Sequence, residues 1–471
     1  MKKIIKNQPF ALFLAFAIIA FITIAAYTGT KLIHPNPGYN HITHNFGGGG
    51  PIKFNTSLNN KYFYDNNQLY LYVDLKADKV ESGAGRTPLN VSIVIDKSGS
   101  MSEKNKLEYV KKSVEYIIDQ LESDDYVSVV TYDDYVNVLQ RSSIVTDKYE
   151  LRNKISDIRP GGYTNLSGGT FEGYDQVNRT FSRGYVNRVL LLSDGLANVG
   201  ITDRHELANK VRDKNRRDGI TISTFGVGND FNENLMADIA DYGKGNYYYI
   251  RNSTDIPDIF ASEMNGIKNM VGQGAKIRIH FPKDYLALNK VYGYPYEIEG
   301  DDIVIDFKDV FSDQNKAVLL KFDIKKSINR KLEFESELTY EDVTSNLKGV
   351  KEKQICEIEP AGSQGEFEKG YNDNVRQNIA VFEANDLMEQ ALKDADDGNY
   401  TDAKKKLEQG QEYMNKQMGE VAPSPEMKRQ KDNMDKYEED LKSAETKTDE
   451  EKKEMQKSGK YDNYNTRKKN Q

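Results

Sequence analysis

Between Phe10 and Tyr27 the chain is apolar almost without interruption; Thr23 is the one conventionally polar residue, and Lys2, Lys3 and Lys6 precede the run. Eighteen residues at 1.5 Å each make a helix of about 27 Å, close to the hydrocarbon thickness of a bilayer. Residues 1–30 are therefore predicted to be an N-terminal transmembrane helix, with the lysine end toward the cytoplasm and the bulk of the chain outside the inner membrane. A cleaved signal peptide is the alternative and would leave the protein periplasmic or secreted. The run is long for that purpose, and Ala25-Ala26-Tyr27 is a poor cleavage site. No cysteine follows, so lipoprotein processing is not open to it. Residues 31–51, with Pro35, Pro37, Pro51 and four glycines from Gly47 to Gly50, are predicted to be a flexible linker.

A different pattern starts near residue 88. Buried-strand runs at 89–95, 126–132, 188–193, 220–225 and 247–250, with a short strand at 136–139, alternate with segments of helical spacing. Leu107, Val110, Val114, Ile117, Ile118 and Leu121 mark the first helix; others are predicted near 147–157, 168–182, 203–217, 231–241 and 254–267. Strand–helix alternation of this kind predicts an α/β fold over 88–267, a doubly wound, mostly parallel sheet covered on both faces.

On either side the period changes to two. Leu69, Leu71, Val73 and Leu75 alternate with polar or tyrosine positions before the α/β region, with Phe54 starting a partner strand. After it, 275–281, 303–307, 318–324 and 332–338 alternate in the same way. The simplest solution joins 52–87 with 268–358 in one antiparallel β-sandwich, into which the α/β domain is inserted; two domains in series is the alternative. From Asn374 the spacing is helical again. Gly398-x-Tyr400-x-x-Ala403-x-x-x-Leu407 is similar to the turn of a tetratricopeptide-type pair, in a single copy, so 372–420 is predicted to be an α-helical hairpin. Residues 421–471 are expected to form a highly charged, solvated helix with a disordered tail.

The chain has 471 residues, and its formal net charge of −8 argues against a nucleic-acid binder. Its single cysteine, Cys356, excludes an internal disulfide, a CxxC redox pair and a cysteine zinc site; it is expected to be a small semi-buried residue. His34, His41 and His44 fall in the linker, which does not preorganise metal ligands. His280 is expected to be an ordinary strand residue.

Ligands of a doubly wound sheet sit outside the carboxyl ends of its strands, which makes the loops there informative. Asp96, Ser98 and Ser100 leave one strand end, Asp194 leaves another, and Thr164 lies in the Gly-rich loop Pro160-Gly161-Gly162-Tyr163-Thr164-Asn165 that can reach the same rim. Two carboxylates and three hydroxyls, with no soft donor, suit Mg²⁺ or Mn²⁺. Two carboxylates and three hydroxyls do not fill an octahedral shell, which an outside carboxylate could complete.

Asp96-Lys97-Ser98-Gly99-Ser100, Thr164 and Asp194, in that order and each at a strand end or in a glycine loop, resemble the metal-ion-dependent adhesion site of von Willebrand factor type A domains. The resemblance covers 88–267. The stretch from Ser193 to Gly200 is similar to bacterial members and to those allied to inter-alpha-trypsin inhibitor heavy chains and calcium-activated chloride channel homologues. The resemblance implies that Ser98, Ser100 and Thr164 are direct ligands of Mg²⁺ (or Mn²⁺ or Ca²⁺). Asp96 and Asp194 would bind directly or through water, and a protein partner's Asp or Glu would take the open position. It also implies that the helix near 254–267 shifts with ligand.

Enzyme readings lack parts. A haloacid-dehalogenase-type phosphatase needs a second carboxylate two residues after its nucleophile, where Ser98 stands. His205-Glu206-Leu207-Ala208 begins a zinc-protease motif, but the fifth position is Asn209. The loop after the first strand is not G-x-G-x-x-G. The sequence therefore predicts a non-enzymatic, membrane-tethered protein of the cell envelope that binds a protein partner and no nucleic acid. The alternative is a scaffold or assembly factor whose metal is structural.

Overall fold

The computed structural model describes residues 42–46, 50–64, 68–80, 87–345 and 348–468. The apolar segment 10–27 lies outside them; among the described residues no helix is long and apolar enough to cross a membrane.

Strands β1 (Ile42–Phe46), β2 (Ile52–Leu58), β3 (Tyr62–Phe63) and β4 (Leu69–Ala77) come first. The α/β unit runs β5 (Leu89–Asp96), α1 (Lys106–Gln120), β6 (Tyr126–Tyr132), β7 (Val136–Ile144), α2 (Lys148–Ser156), α3 (Leu166–Arg179), β8 (Val186–Ser193), α4 (Arg204–Asp218), β9 (Thr221–Val227), α5 (Glu233–Tyr242), β10 (Lys244–Ile250) and α6 (Ile256–Lys268). Then follow β11 (Met270–His280), β12 (Leu286–Tyr292), β13 (Tyr296–Glu299), β14 (Asp302–Phe311), β15 (Asn315–Ile324), β16 (Leu332–Asp342) and β17 (Lys348–Pro360). Helices α7 (Gln364–Lys369), α8 (Asp373–Asp396), α9 (Tyr400–Glu420), α10 (Pro425–Lys442) and α11 (Asp449–Lys468) close the described chain.

The α/β sheet has the order β10-β9-β8-β5-β6-β7, parallel apart from β7. Its centre, β5 and β8, is buried at every position because helices cover both faces. Val91, Ile93 and Ile95 of β5 pack with Val110, Val114 and Ile117 of α1 and Phe260 of α6, while Val94 faces Tyr174 and Val177 of α3 on the other side. Helix α3 lies so close to the sheet that a Cβ on Gly173 would stand 2.5 Å from a Val94 methyl; only glycine permits that approach.

Two sheets enclose a second core. One has the order β12-β15-β4-β2, the other β1-β17-β16-β11-β14-β13, with β3 added to β17. Phe54, Leu71, Val73 and Leu75 from before the α/β unit share this core with Ile277, Ile279, Val318, Phe322 and Phe334 from after it. Cys356 is buried there and donates its thiol to the Thr56 carbonyl at 2.8 Å; burial pushes the thiol up to about 12.

Two expectations need correction. Residues 42–46, placed in a flexible linker, are strand β1, paired antiparallel with β17; the rest of the linker's residues up to 41, and 47–49, lie outside the described residues. The C-terminal region is more than a hairpin with a disordered tail. Met427, Met434 and Leu441 recur every seven residues amid charge and pack α10 onto Met388, Leu392 and Met414 of α8 and α9. Helix α11 continues to Lys468 and is pinned to the α/β unit: Lys457 Nζ reaches the Phe231 carbonyl at 2.6 Å and Glu233 at 2.5 Å, and Tyr464 and Lys468 each reach Asp241 at 3.0 Å. A solvated helix could not hold its end; these buried ion pairs can.

Candidate metal centre

Chain order reverses across the centre of the α/β sheet: β5 leads to β6 on one side, whereas β8, β9 and β10 build out on the other. Asp96 is the last residue of β5 and Asp194 follows the last residue of β8. The two carboxylates thus flank the crevice that strand order opens.

Three loops meet there and hold one another by backbone hydrogen bonds. Gly99 N–H donates to the Gly162 carbonyl at 3.0 Å, and Gly161 N–H to the Lys97 carbonyl at 2.8 Å. On the far side, Asn198 and Val199 donate their N–H groups to the Thr164 carbonyl at 3.2 and 3.1 Å, while Thr164 N–H donates to Asn198 Oδ1 at 2.7 Å. Asn232 N–H donates to the Asp194 carbonyl at 3.2 Å. The loop carrying Thr164 is thereby tied both to the Asp96–Ser100 loop and to the loop after Asp194.

Asp96 is fully buried and well supplied with donors. Its Oδ1 accepts Ser98 N–H at 2.9 Å; its Oδ2 accepts the Ser193 hydroxyl at 2.6 Å and the Tyr132 hydroxyl at 3.2 Å. Burial, and then the neighbouring Asp194 charge, push the Asp96 carboxyl up to about 6. The hydroxyls of Ser98 and Ser100 stand 3.2 Å apart. Asp194 is equally buried but poorly supplied: Lys106 Nζ lies 3.1 Å from Oδ2, and Oδ1 has no hydrogen-bond partner. An unsatisfied buried oxygen of this kind costs about 1–3 kcal/mol, and more when charged.

The structure therefore brings Asp96, Ser98, Ser100, Thr164 and Asp194 to one rim. As a donor set they fit a hard dication. All are oxygen, hydroxyls outnumber carboxylates, and the orphaned Asp194 Oδ1 is an acceptor awaiting positive charge. Among the described residues no group of three or more His, Cys, Asp or Glu side chains converges, which sets this arrangement apart from a carboxylate-rich or imidazole site. Exposed apolar side chains stand on the same loops: Tyr163 is 66% and Leu196 41% exposed, and Tyr135, in the turn beside Asp133 whose carbonyl accepts Asn165 N–H, is 80% exposed.

Sequence reasoning missed Lys106, Ser193, Tyr132 and Asn198. Tyr132 is a strand terminus with no motif of its own, whereas Ser193 and Asn198 lie in the stretch Ser193 to Gly200, whose resemblance does not say which of its side chains brace the site. Lys106 sits among Lys104, Lys111 and Lys112, where spacing alone reads a solvated helix face. His280 lies far off on the sandwich, bonded to Asp302 at 2.8 Å.

Residues 90–262 match the family model described as von Willebrand factor type A domain. The chain is similar to an uncharacterized protein, YfbK, of Escherichia coli K12, 34% identical over 206 residues, or 44% of this chain and 36% of that protein. It is also similar to human inter-alpha-trypsin inhibitor heavy chain H3, 24% identical over 247 residues, or 50% of this chain and 27% of that one. It thus spans about a third of the length of such relatives. Among solved structures, a von Willebrand factor type A protein from Catenulispora acidiphila aligns with a TM-score of 0.65 and 14% identity over 85% of this chain and 91% of that one, a likeness of fold. A doubly wound sheet of this strand order, the loops at its switch point and the family match agree: the chain carries a von Willebrand factor type A domain.

Proposed function

We propose that this protein is a membrane-tethered, extracytoplasmic binding module whose type A domain uses a divalent ion, Mg²⁺ or a similar hard cation, to capture an acidic side chain of a protein partner. The observation that carries this reading is the cluster of two buried carboxylates and three hydroxyls at one rim, with an unpartnered Asp194 Oδ1. Ser98, Ser100 and Thr164 would supply neutral oxygens, and Asp96 and Asp194 would hold the ion directly or through water. The ion would supply an exchangeable, electrophilic position for a carboxylate oxygen. Asn198 orients the Thr164 loop, and Tyr135, Tyr163 and Leu196 offer apolar contact around the mouth. Among the described residues no histidine is hydrogen-bonded to the Ser98 or Ser100 hydroxyl, which favours binding over serine chemistry.

Backbone hydrogen bonds tie the three loops to one another; a scaffold whose metal is structural is the alternative reading. The tether rests on the apolar run from Phe10 to Tyr27 and its preceding lysines.

Calorimetric titration of Mg²⁺, Mn²⁺ and Ca²⁺ into the wild type and into Ser98→Ala/Ser100→Ala tests the site, followed by capture of partner proteins with and without chelator. Binding lost in the double variant, and capture lost in chelator, are the expected results. Ion binding that only raises the melting temperature, with capture indifferent to chelator, would support the scaffold reading instead. Cell fractionation tests the tether: recovery in the soluble cytoplasmic fraction overturns it.

A further inference from the structure

Lys106 is an unusual residue to find where it is. It is 1% exposed, and lysine is almost never fully buried without a partner. It opens α1, where a cation works against the helix dipole. Its stem is clamped in place: Gly228, at φ +76°, lies so close over it that a Cβ there would be 2.9 Å from Lys106 Cε. Its ammonium ends 3.1 Å from Asp194 Oδ2, on the carboxylate whose other oxygen is unpartnered. The next acidic neighbour, Asp230, has cations of its own in Lys453 at 3.1 Å and Lys104 at 3.8 Å. Lys106 is therefore committed to Asp194.

We propose that Lys106 is the residue that determines ligand charge at the metal site: its ammonium turns a site that would be neutral with a bound dication into one that demands a single anion. Two aspartates and one dication cancel. With Lys106 added, one positive charge remains in a buried place, and burying an unbalanced charge is costly. One incoming carboxylate removes it; a neutral amide does not. Without Lys106 the same carboxylate would instead leave the site negative. The ammonium also repels the ion, so the wild type holds metal less tightly than a chain lacking this charge and couples metal to ligand more strongly. This rests on the metal-site reading above.

The test uses the full chain, with Mn²⁺ as the ion and acetate or its neutral isostere acetamide as the ligand. In the wild type, acetate is expected to tighten Mn²⁺ binding measured by calorimetry, and by linkage Mn²⁺ to tighten acetate binding, with acetamide inert. Lys106→Met, which keeps the stem, is expected to bind Mn²⁺ about tenfold tighter and to lose about tenfold of its preference for acetate over acetamide, read by water-proton relaxation of the bound Mn²⁺. Its ion-free form is expected to melt lower, since two aspartates are left without the cation. A wild type that binds no Mn²⁺ overturns the metal-site reading and this inference with it. A wild type that binds Mn²⁺ but treats acetate and acetamide alike overturns the inference alone, whether or not the variant folds. A variant with a lower melting temperature but unchanged ion and acetate binding reduces Lys106 to a structural ion pair and also overturns it.

Discussion

Ser193 donates its hydroxyl to Asp96 Oδ2 at 2.6 Å across the centre of the sheet, and accepts Gly195 N–H at 2.7 Å in return. One small side chain thus joins the end of β5 to the loop that carries Asp194. Ser193→Ala would leave both the Gly195 N–H and one lone pair of Asp96 unmet in a fully buried place. The expected loss is about 2 kcal/mol of stability, measured by urea denaturation, together with weaker ion binding. An unchanged midpoint would mean that the two loops are held by their other bonds alone.

Asn198 holds the third loop. Its Oδ1 accepts Thr164 N–H at 2.7 Å, although the residue itself is exposed. Asn198→Ala is expected to lower stability by only about 1 kcal/mol but to weaken Mg²⁺ binding, because Thr164 loses its orientation. Calorimetry on the variant checks this, and equal affinity would remove Asn198 from the site.

The apolar rim separates metal binding from partner recognition. Tyr163→Ser with Leu196→Ser is expected to leave Mg²⁺ affinity within about twofold while reducing the proteins retained in Mg²⁺ and released by chelator, since exposed aromatics contribute to interfaces through contact area. Retention equal to the wild type would show that these side chains do not touch the partner.

Arg188 lies 1% exposed between the α/β unit and the sandwich, 2.7 Å from Glu263 of α6 and 3.3 Å from Asp309 of β14. Arg188→Met would strand two buried carboxylates. A loss of about 3–5 kcal/mol is expected in chemical denaturation. A loss below about 1 kcal/mol would mean that water reaches the pair.

The docking of α11 should fail in acid. Burial works against the Glu233 charge, but Lys457 and then Lys460 outweigh it and hold the carboxyl down to about 2. A carboxyl lowered on folding contributes stability that is complete above its unfolded value, about 4.5, and is lost as pH falls from there toward 2. Limited proteolysis of the last helix should therefore accelerate between about pH 4.5 and pH 2, and Glu233→Gln should be sensitive already at neutral pH. Equal cleavage of both proteins at all pH values would show that the ion pairs do not hold the helix.

The α/β unit was legible because its signals are local. Buried parallel strands such as 89–95 and 188–193 are apolar runs, and their loops carry Asp96, Ser98, Ser100, Thr164 and Asp194 at the ends where ligands bind. Strand β17 was not legible. Its inward positions include Glu352, Gln354 and Cys356, and Gln354 is buried only because it bonds the backbone of Thr56 at 2.8 Å and of Phe54. Strand β13 is exposed except at the half-buried Glu297 and lies at a sheet edge, so no apolar alternation marks it.

By itself, then, the sequence determined the elements whose apolar period is their own, and the order of the oxygen donors along the rim. Tertiary structure alone decided what depends on partners far apart in the chain. Helix α11 is ordered by carboxylates more than 200 positions away, at Glu233 and Asp241. Lys106 becomes a buried counter-ion only because β8 ends beside the start of α1. A lysine's charge is the same in every sequence; whether it meets water or Asp194 is settled by packing.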